Sequence, residues 1–173
     1  MLARIYRPAK TAMQSGKAKS RDWRLEFEPA SARTQDPLTG WTSSTDMNGQ
    51  VRLSFETPEE AVAMRKELMR VDGGILRGAD ALAGPEAIAA MQLLKDNLSH
   101  VPALFPEGSI VGDSEALPAI WENWETFVAI AKAGEDAAAI ALAAAEAGDA
   151  AGYAAALQAI GGTCGQCHQQ FRV

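Results

Sequence analysis

Cysteine and histidine are scarce in this 173-residue sequence, which contains two of each. Both cysteines belong to one short run near the end of the chain, so a framework of several disulfide bonds is excluded. A structural zinc site needs four Cys or His ligands at a characteristic spacing, and His100 lies too far from the other three candidates to complete one. The cysteines therefore serve another chemistry.

Long hydrophobic runs are also lacking, and no N-terminal export signal is predicted. No stretch of 18 or more apolar residues is present, so no segment is predicted to span a membrane as a helix. Residues 1–19 contain basic side chains but no apolar core and no small-residue cleavage site, so no secretory signal is predicted. Hydrophobic residues still make up 47% of the sequence, which predicts one or two domains with a real core.

Positive charge is scarce in the second part of the chain. Residues 1–57 contain nine Lys and Arg against six Asp and Glu, whereas residues 58–173 contain seven against sixteen. The two parts thus carry net charges of +3 and −9, which give the −6 of the whole chain. We interpret this asymmetry as two units of different origin, and the acidic second part argues against nucleic acid as a partner.

The two cysteines lie in the run Cys164-Gly165-Gln166-Cys167-His168. A C-x-x-C-H run offers two thiols that can add across the vinyl groups of a haem, and an imidazole that can ligate its iron. A redox C-x-x-C of the thioredoxin type would follow a strand and open a helix, whereas this run closes an alanine-rich helical pattern. We therefore predict one covalently attached haem c.

The residues before the run show where the haem would dock. Apolar side chains recur there at steps of four and three, namely Tyr153, Leu157, Ile160, Cys164, Cys167 and Phe171. This spacing places both thiols on the apolar face of one helix. The haem is thus expected in a seam between helices.

Residues 1–57 form a segment in which strands and loops are predicted. Apolar and polar side chains alternate over Trp23–Glu28 and Val51–Glu56, which is typical of half-buried strands, and Leu2–Arg7 is a weaker third strand. The stretch Pro29–Gln50 is rich in turn-forming residues and is predicted to be loop. This segment is interpreted as a small, incomplete β unit.

From Thr57 onwards the pattern predicts helices. Thr57-Pro58-Glu59-Glu60 provides a cap, a proline at the first helical position and a capping box. Amphipathic helices are predicted at residues 58 to about 83, about 85 to 101, 117 to 147 and 150 to 170. The fold class is therefore mainly α: a small partial β segment (1–57), then an antiparallel four-helix bundle (58–173), with cofactor sites on facing helices.

Four strings in the helical part resemble the cytochrome c-prime family, the class II c-type cytochromes. They are RKELM from Arg65, LFPEGS from Leu104, IWENWETF from Ile120 and CGQCHQQFR from Cys164, and the resemblance covers about residues 59–173. It implies that Cys164 and Cys167 carry the haem thioethers and that His168 is the fifth iron ligand. It also implies a periplasmic protein, often a homodimer, that exchanges electrons with redox partner proteins or binds small gases such as nitric oxide.

Met69 occupies a position that differs among members of this family. An apolar residue there leaves iron five-coordinate, whereas methionine gives a six-coordinate, low-spin centre suited to electron transfer. Met69 lies about 16 Å along the first helix at about 1.5 Å per residue, so it can face a haem held near the last turns of the fourth. Arg65 matches the same pocket and is expected to screen a haem propionate. The alternative is that Met69 only fills the core.

Four strings in the first part resemble the 18 kDa accessory subunit family of respiratory complex I. They are ARIYRPAK from Ala3, MQSG from Met13, WRLEFEP from Trp23 and WTSSTDM from Trp41. The resemblance covers about residues 2–64, a truncated form of that family's pattern. It implies a non-catalytic segment that helps to assemble or stabilise complex I.

The leading interpretation is a haem-binding electron carrier, not an enzyme, joined to this truncated segment. The alternatives are a five-coordinate cytochrome that binds NO or CO, and an intracellular module that docks on complex I. The two resemblances imply opposite sides of the energised membrane, periplasmic for the haem part and cytoplasmic for the complex I part. A natural fusion, an engineered chimera and a mis-assembled reading frame each account for this combination.

The other titratable residues are interpreted as structural. His100 is predicted at the closing turn of the second helix, where a partly positive side chain is favourable with the helix dipole. The acidic residues of the third helix are predicted to form a solvated face rather than an acid and base pair. They are Glu122, Glu125, Glu135 and Asp136.

Overall fold

The computed structural model describes Phe55 and residues 57–173 and, before them, the backbone of five short strands. Strand β1 (Ala3–Tyr6) pairs antiparallel with β2 (Arg24–Phe27), Ala3 opposite Phe27. The other strands form a second antiparallel sheet in the order β3-β4-β5, with Ser43 opposite Leu53. Their bounds are Thr34–Gln35 for β3, Thr42–Thr45 for β4 and Val51–Leu53 for β5.

Two of these strands differ from the sequence-based prediction. Strands β3 and β4 lie within the stretch 29–50, which was predicted to be loop. Threonine begins and ends β4, and its β-branched side chain favours extended backbone even in a stretch otherwise rich in turn formers. The remaining strands lie at the three stretches where apolar and polar residues alternate.

The predicted four-helix bundle is confirmed. Helix α1 (Pro58–Gly78) begins at a Thr57 cap, whose Oγ1 accepts from the Glu60 backbone N–H at 3.2 Å. It ends about five residues earlier than predicted, because a 3-10 turn at Ala79–Ala81 follows it. The carbonyl of Ala79 accepts from the Tyr153 hydroxyl at 3.1 Å, which ties this turn to the last helix. Helix α2 then runs over Gly84–His100.

The third predicted helix is broken into α3 (Ala119–Glu122) and α4 (Trp124–Ala147). The prediction of one helix over 117–147 is therefore wrong at Asn123, whose backbone leaves the helical region at φ −122° and ψ 42°. The Asn123 side-chain amide also donates to the Ala119 carbonyl at 3.2 Å. Asparagine competes in this way with helical hydrogen bonds.

The last helix, α5 (Ala150–Phe171), carries the C-x-x-C-H run in its final turns. Gly148 ends α4 in the left-handed conformation at φ 67°, and the Asp149 side chain caps α5 by accepting from the Gly152 N–H at 3.0 Å. Because the connection is so short, α5 turns back along α4. Helix α4 thus packs against both α5 and α2.

An aromatic cluster joins the end of α5 to the rest of the core. Phe127 on α4 is buried and contacts Phe105 and Phe171 edge to face, with ring centroids 4.9 and 5.4 Å apart. Phe171 is the last residue of α5, so this cluster holds the helix end just beyond the haem motif. Edge-to-face pairs of this kind add to the energy of burial.

Phe55 corrects one expectation about the core. All core positions were predicted after Thr57, yet Phe55 is only 6% exposed and belongs to the same hydrophobic cluster as the bundle. Its side chain was assigned to a half-buried strand because it continues the alternation of Val51 and Leu53. Within the part of the chain that the structure describes, none of the helices has the length and apolar content needed to cross a membrane.

Candidate cofactor site

The two thiols of the motif lie on the inward side of α5. Cys164 and Cys167 are half-buried and pack against the hydrophobic core. Burial raises the pKa of both thiols, to about 11 for Cys167, where the neighbouring Cys164 adds to the effect. The Asp72 carboxyl also raises the pKa of Cys164, so Asp72 lies close to this thiol. Both side chains are therefore neutral thiols in an apolar seam, the environment that a flat hydrophobic macrocycle requires.

His168 follows the second thiol and lies on the exposed side of the final turn. The pKa of its imidazole is lowered, first by partial burial of the ring and then by the positive charge of Arg172. A lowered pKa keeps the imidazole neutral at pH 7, and only a neutral imidazole has a nitrogen lone pair to give to a metal. His168 is thus competent as an iron ligand.

Arg172 is a site residue that sequence reasoning missed. Its guanidinium forms an ion pair with Glu115, with Nε and Nη2 at 2.6 and 2.5 Å from Oε2. The backbone reinforces the pair, because the Leu117 N–H donates to the Phe171 carbonyl and the Val173 N–H donates to the Glu115 carbonyl, both at 2.9 Å. Arg172 follows His168 by four residues, about one helical turn, and this spacing was the signal in the sequence that could have identified it. These contacts fix the chain end that positions the imidazole.

Arg65 anchors the long connection between α2 and α3. It is 4% exposed, and its guanidinium donates to Ser109 Oγ at 2.8 Å, to the Ser109 carbonyl at 2.6 Å and to Ser114 Oγ at 2.5 Å. The same group lies 4.8 Å from the centroid of the Phe105 ring. Both terminal nitrogens thus bind the loop, and contact with a haem propionate stays a prediction.

Met69 lies one turn after Arg65 and is half-buried against the core. Asp72 follows one turn later, and it is a second residue that the sequence reading missed. It is 5% exposed, its Oδ1 accepts from the Asn97 side-chain amide at 2.6 Å, and its Oδ2 has no hydrogen-bond partner within the described residues. Its spacing of seven from Arg65 was the signal, because it puts an acidic residue on the inward face of the helix.

Helices α4 and α5 approach closely just before the motif. A Cβ at Gly134 would lie 3.1 Å from Thr163 Oγ1 and 3.7 Å from the Leu98 methyl carbons. The next inward positions of α4, Ala138 and Ala141, are fully buried and small. Cys164 directly follows Thr163. The close approach of α4 and α5 therefore fixes the position of Cys164 along the core.

These residues fit a haem better than a bare metal ion. Within the described residues, no group of three or more His, Cys, Asp or Glu side chains could hold a metal ion. A haem brings four nitrogen ligands of its own and needs only axial ligands and covalent or apolar contacts from the protein. Two half-buried thiols and one neutral imidazole satisfy those needs.

The other titratable residues singled out from the sequence have partners within their own helices or lie at the surface. His100 is in the last turn of α2, where its Nδ1 is 2.6 Å from the Asp96 carbonyl oxygen. On α4, Lys132 lies 3.4 Å from Glu135 and 2.5 Å from Asp136 in exposed helical ion pairs. Such pairs contribute little to stability. Glu122 and Glu125 are exposed as well.

Comparison with known proteins identifies two family models along the chain. The model described as Cytochrome C' matches residues 59–172. The model described as NADH dehydrogenase ubiquinone Fe-S protein 4 matches residues 2–68. Both resemblances inferred from the sequence are confirmed. The two matches overlap in the first half of α1.

Relatives and solved structures agree with the first model. Cytochrome c' of Pararhodospirillum photometricum is 36% identical over 129 residues, covering 67% of this chain and 98% of the relative. Cytochrome c-556 of Agrobacterium tumefaciens is 39% identical, covering 65% and 96%. Cytochrome c' of Rhodospirillum rubrum is 47% identical over 76 residues, 43% of this chain, and the match spans about half of that relative, 52%.

One solved structure is the nitric oxide complex of a mutant cytochrome c prime from Alcaligenes xylosoxidans. It is 27% identical to this chain, covers 68% of it and 98% of its own length, and superposes with a TM-score of 0.62. The likeness extends over the helical bundle, where the thiols and the imidazole lie.

Proposed function

The chain belongs to the cytochrome c' family, whose members carry covalently attached haem c, and from this premise we propose that it carries electrons, with His168 and Met69 as the axial ligands. Cys164 and Cys167 would hold the haem as thioethers. The haem, when bound, supplies the one-electron couple of its iron. The chain supplies the apolar seam that excludes water and the two side chains that select a six-coordinate centre.

The observation that carries this proposal is the placement of the two thiols. They are half-buried on the inward side of α5, and the charge of Asp72, one turn after Met69 on α1, acts on Cys164. The inward face of α1 therefore borders the motif. A thioether on that face is a suitable soft ligand, and it favours the ferrous state relative to weaker partners. A similar protein, cytochrome c-556 of Agrobacterium tumefaciens, aligns over nearly its whole length.

Covalent attachment is tested by the mass of the mature protein. After expression with a c-type maturation system, we expect the intact mass to include one haem and the colour to stay with the polypeptide in acid acetone. The double variant Cys164→Ser, Cys167→Ser should lose both properties. Mature protein without a mass increment would refute attachment.

Axial ligation is tested by replacing Met69. In the holoprotein, Met69→Leu should convert the ferrous spectrum to a high-spin form that binds carbon monoxide, because the sixth position is then open. Met64→Leu is the matched control, since Met64 is another half-buried methionine of α1 packed on the same core. Equal carbon monoxide binding by wild type and Met69→Leu would exclude Met69 as the ligand.

Gas binding is the second candidate function. A similar solved structure is a nitric oxide complex, and Met69 is only half-buried, so its side chain is not locked by packing on all sides. If wild-type ferrous protein binds carbon monoxide as readily as Met69→Leu, gas binding replaces electron transfer as the function. Neither role requires the chain to act as an enzyme.

The partner and the compartment are proposed from the two family matches. The haem part favours a periplasmic location and exchange of electrons with a redox protein, with a homodimer as the expected assembly. The match of residues 2–68 to a complex I protein model favours an interaction with complex I instead. Fractionation of cells that express the full chain, with covalent haem measured in each fraction, distinguishes the two.

A further inference from the structure

Asp72 is a buried acid that the proposed function does not use. It is 95% removed from solvent, being 5% exposed, and one of its carboxyl oxygens has no partner within the described residues. Burying such a group without a second hydrogen bond costs free energy. The cost is unexplained by packing alone, since a leucine would fill the same face of α1.

Three helices bring polar or reactive groups to this point. From α1, Asp72 projects from the turn after Met69. From α2, the Asn97 amide donates to its Oδ1 at 2.6 Å, and Asn97 is itself 3% exposed. From α5, the Cys164 thiol lies close enough for the Asp72 charge to raise its pKa. The Asp72 carboxyl therefore lies within electrostatic reach of the thiol at which the first thioether would form.

No countercharge neutralises Asp72 within the described part of the chain. The nearest buried cation of the same face, Arg65, donates to Ser109 and Ser114. Asn97 is neutral, and thioether formation would remove the titratable proton of Cys164. The carboxyl group of Asp72 therefore lacks a charged partner among the described residues, and a haem bound in the seam would be a charged group that responds to it.

We propose that Asp72 is a proton-binding residue of the haem pocket, and that uptake of a proton at its Oδ2 accompanies reduction of the iron. This inference rests on the proposed haem site. An ionised Asp72 favours the ferric state, which carries one more positive charge than the ferrous state. When a one-electron donor protein delivers its electron, the carboxylate takes one proton from water, so that the added electron and the added proton balance.

The titration range of the carboxyl group supports this role. Burial raises the pKa of Asp72 to about 7, against the opposing effect of the Asn97 hydrogen bond. A group with this pKa changes its charge within the range in which cells operate.

The test is the reduction potential of the holoprotein between pH 5 and pH 9. Wild type should show a potential that falls as pH rises, by up to a tenfold change in the equilibrium constant per pH unit, which is 59 mV for one electron. Asp72→Asn should match wild type at pH 5, lie above it at pH 9 and lose most of the slope. The exposed Asp113→Asn variant is the matched control and should keep the wild-type slope.

A second variant tests the inference independently of Asp72→Asn. Asn97→Ala removes the hydrogen bond that lowers the pKa of Asp72, so the midpoint of the pH dependence should move to higher pH. Identical pH profiles in wild type, Asp72→Asn and Asn97→Ala would overturn the inference while leaving the haem site intact. Mature protein without covalent haem would instead overturn the proposed function, and the inference with it.

Discussion

Arg65 and Asp72 lie two turns apart on one face of α1, and both are more than nine-tenths buried. Arg65 has hydrogen-bond partners on Ser109 and Ser114 and an aromatic ring beneath its guanidinium. Asp72 has one partner and one free oxygen. At the scale of the residue, the first arrangement stabilises the bundle and the second weakens it.

Replacing Arg65 should therefore be costly. Arg65→Met leaves the buried Ser109, whose hydroxyl and carbonyl oxygens accept from the guanidinium, without this donor, and it removes one of the two donors to Ser114 Oγ. We expect the free energy of unfolding to fall by about 3 kcal/mol. Chemical denaturation of the holoprotein measures this. Lys66→Met is the control, because Lys66 is exposed and pairs with Asp113 on the surface, and it should change stability little. A loss no larger for Arg65→Met than for Lys66→Met would contradict the anchoring role.

Asp72→Asn should instead stabilise the protein in a manner that depends on pH. The folded pKa of Asp72 is raised from 3.8 to about 7, so the folded state disfavours the carboxylate. The free-energy penalty for burying the ionised Asp72 carboxylate is absent below about pH 4, develops between about pH 4 and 7 and is complete above about pH 7. Thermal melts at pH 5 and 8 should show a larger gain for Asp72→Asn at pH 8, with a ceiling of about 4 kcal/mol.

Asp113 is exposed, and its pKa is shifted in the direction opposite to that of Asp72. Lys66 lowers the pKa of Asp113, so its carboxylate contributes stability above the unfolded pKa and loses it as the pH falls. Asp113→Asn should therefore give no gain at pH 8. A stabilisation equal to that of Asp72→Asn would show that the effect comes from net charge and not from burial.

At the scale of the element, the crossing of α4 and α5 decides where the motif lies. Gly134 permits the approach, because Thr163 and Leu98 occupy the space that a side chain would fill. Gly134→Val should reduce the free energy of unfolding by about 2 kcal/mol through overpacking, and it should also shift Cys164. Gly161→Val is the matched control, since a Cβ at Gly161 meets nothing within 4 Å.

Two measurements test whether the crossing of α4 and α5 positions the motif. Chemical denaturation compares the free energy of unfolding of the two glycine variants directly, because both substitutions change the intrinsic helix propensity by a similar amount. The yield of covalent haem after maturation reports the position of Cys164. Equal stability and equal haem yield for the two variants would mean that the crossing does not position the motif.

At the scale of the whole molecule, Phe55 couples the first part of the chain to the bundle. Its side chain is buried in the bundle core although it lies before the predicted boundary at residue 57. Phe55→Ala in the full chain should reduce stability by about 3 kcal/mol. Deleting residues 1–53 should leave the thermal midpoint of the haem domain nearly unchanged. A loss after this deletion as large as that of Phe55→Ala would show a core shared by both parts.

The sequence by itself determined the features that depend on neighbours along the chain. The C-x-x-C-H run and its helical face, the Thr57 cap and the Asp149 cap each involve residues at most a few positions apart. Period and capping chemistry are local, so they can be recognised before any fold is known. The four-helix bundle and the family followed from these signals.

Only the tertiary structure decided which polar residues find partners far away in the sequence. Arg65 binds Ser109 across 44 positions, Asp72 binds Asn97 across 25, and Arg172 pairs with Glu115 across 57. An apolar stripe predicts that a position faces inward, but it carries no information about the group on the opposing helix. Asp72 and Arg172 were therefore not identified from the sequence. Burial and charge at the site arise from elements that meet only after folding.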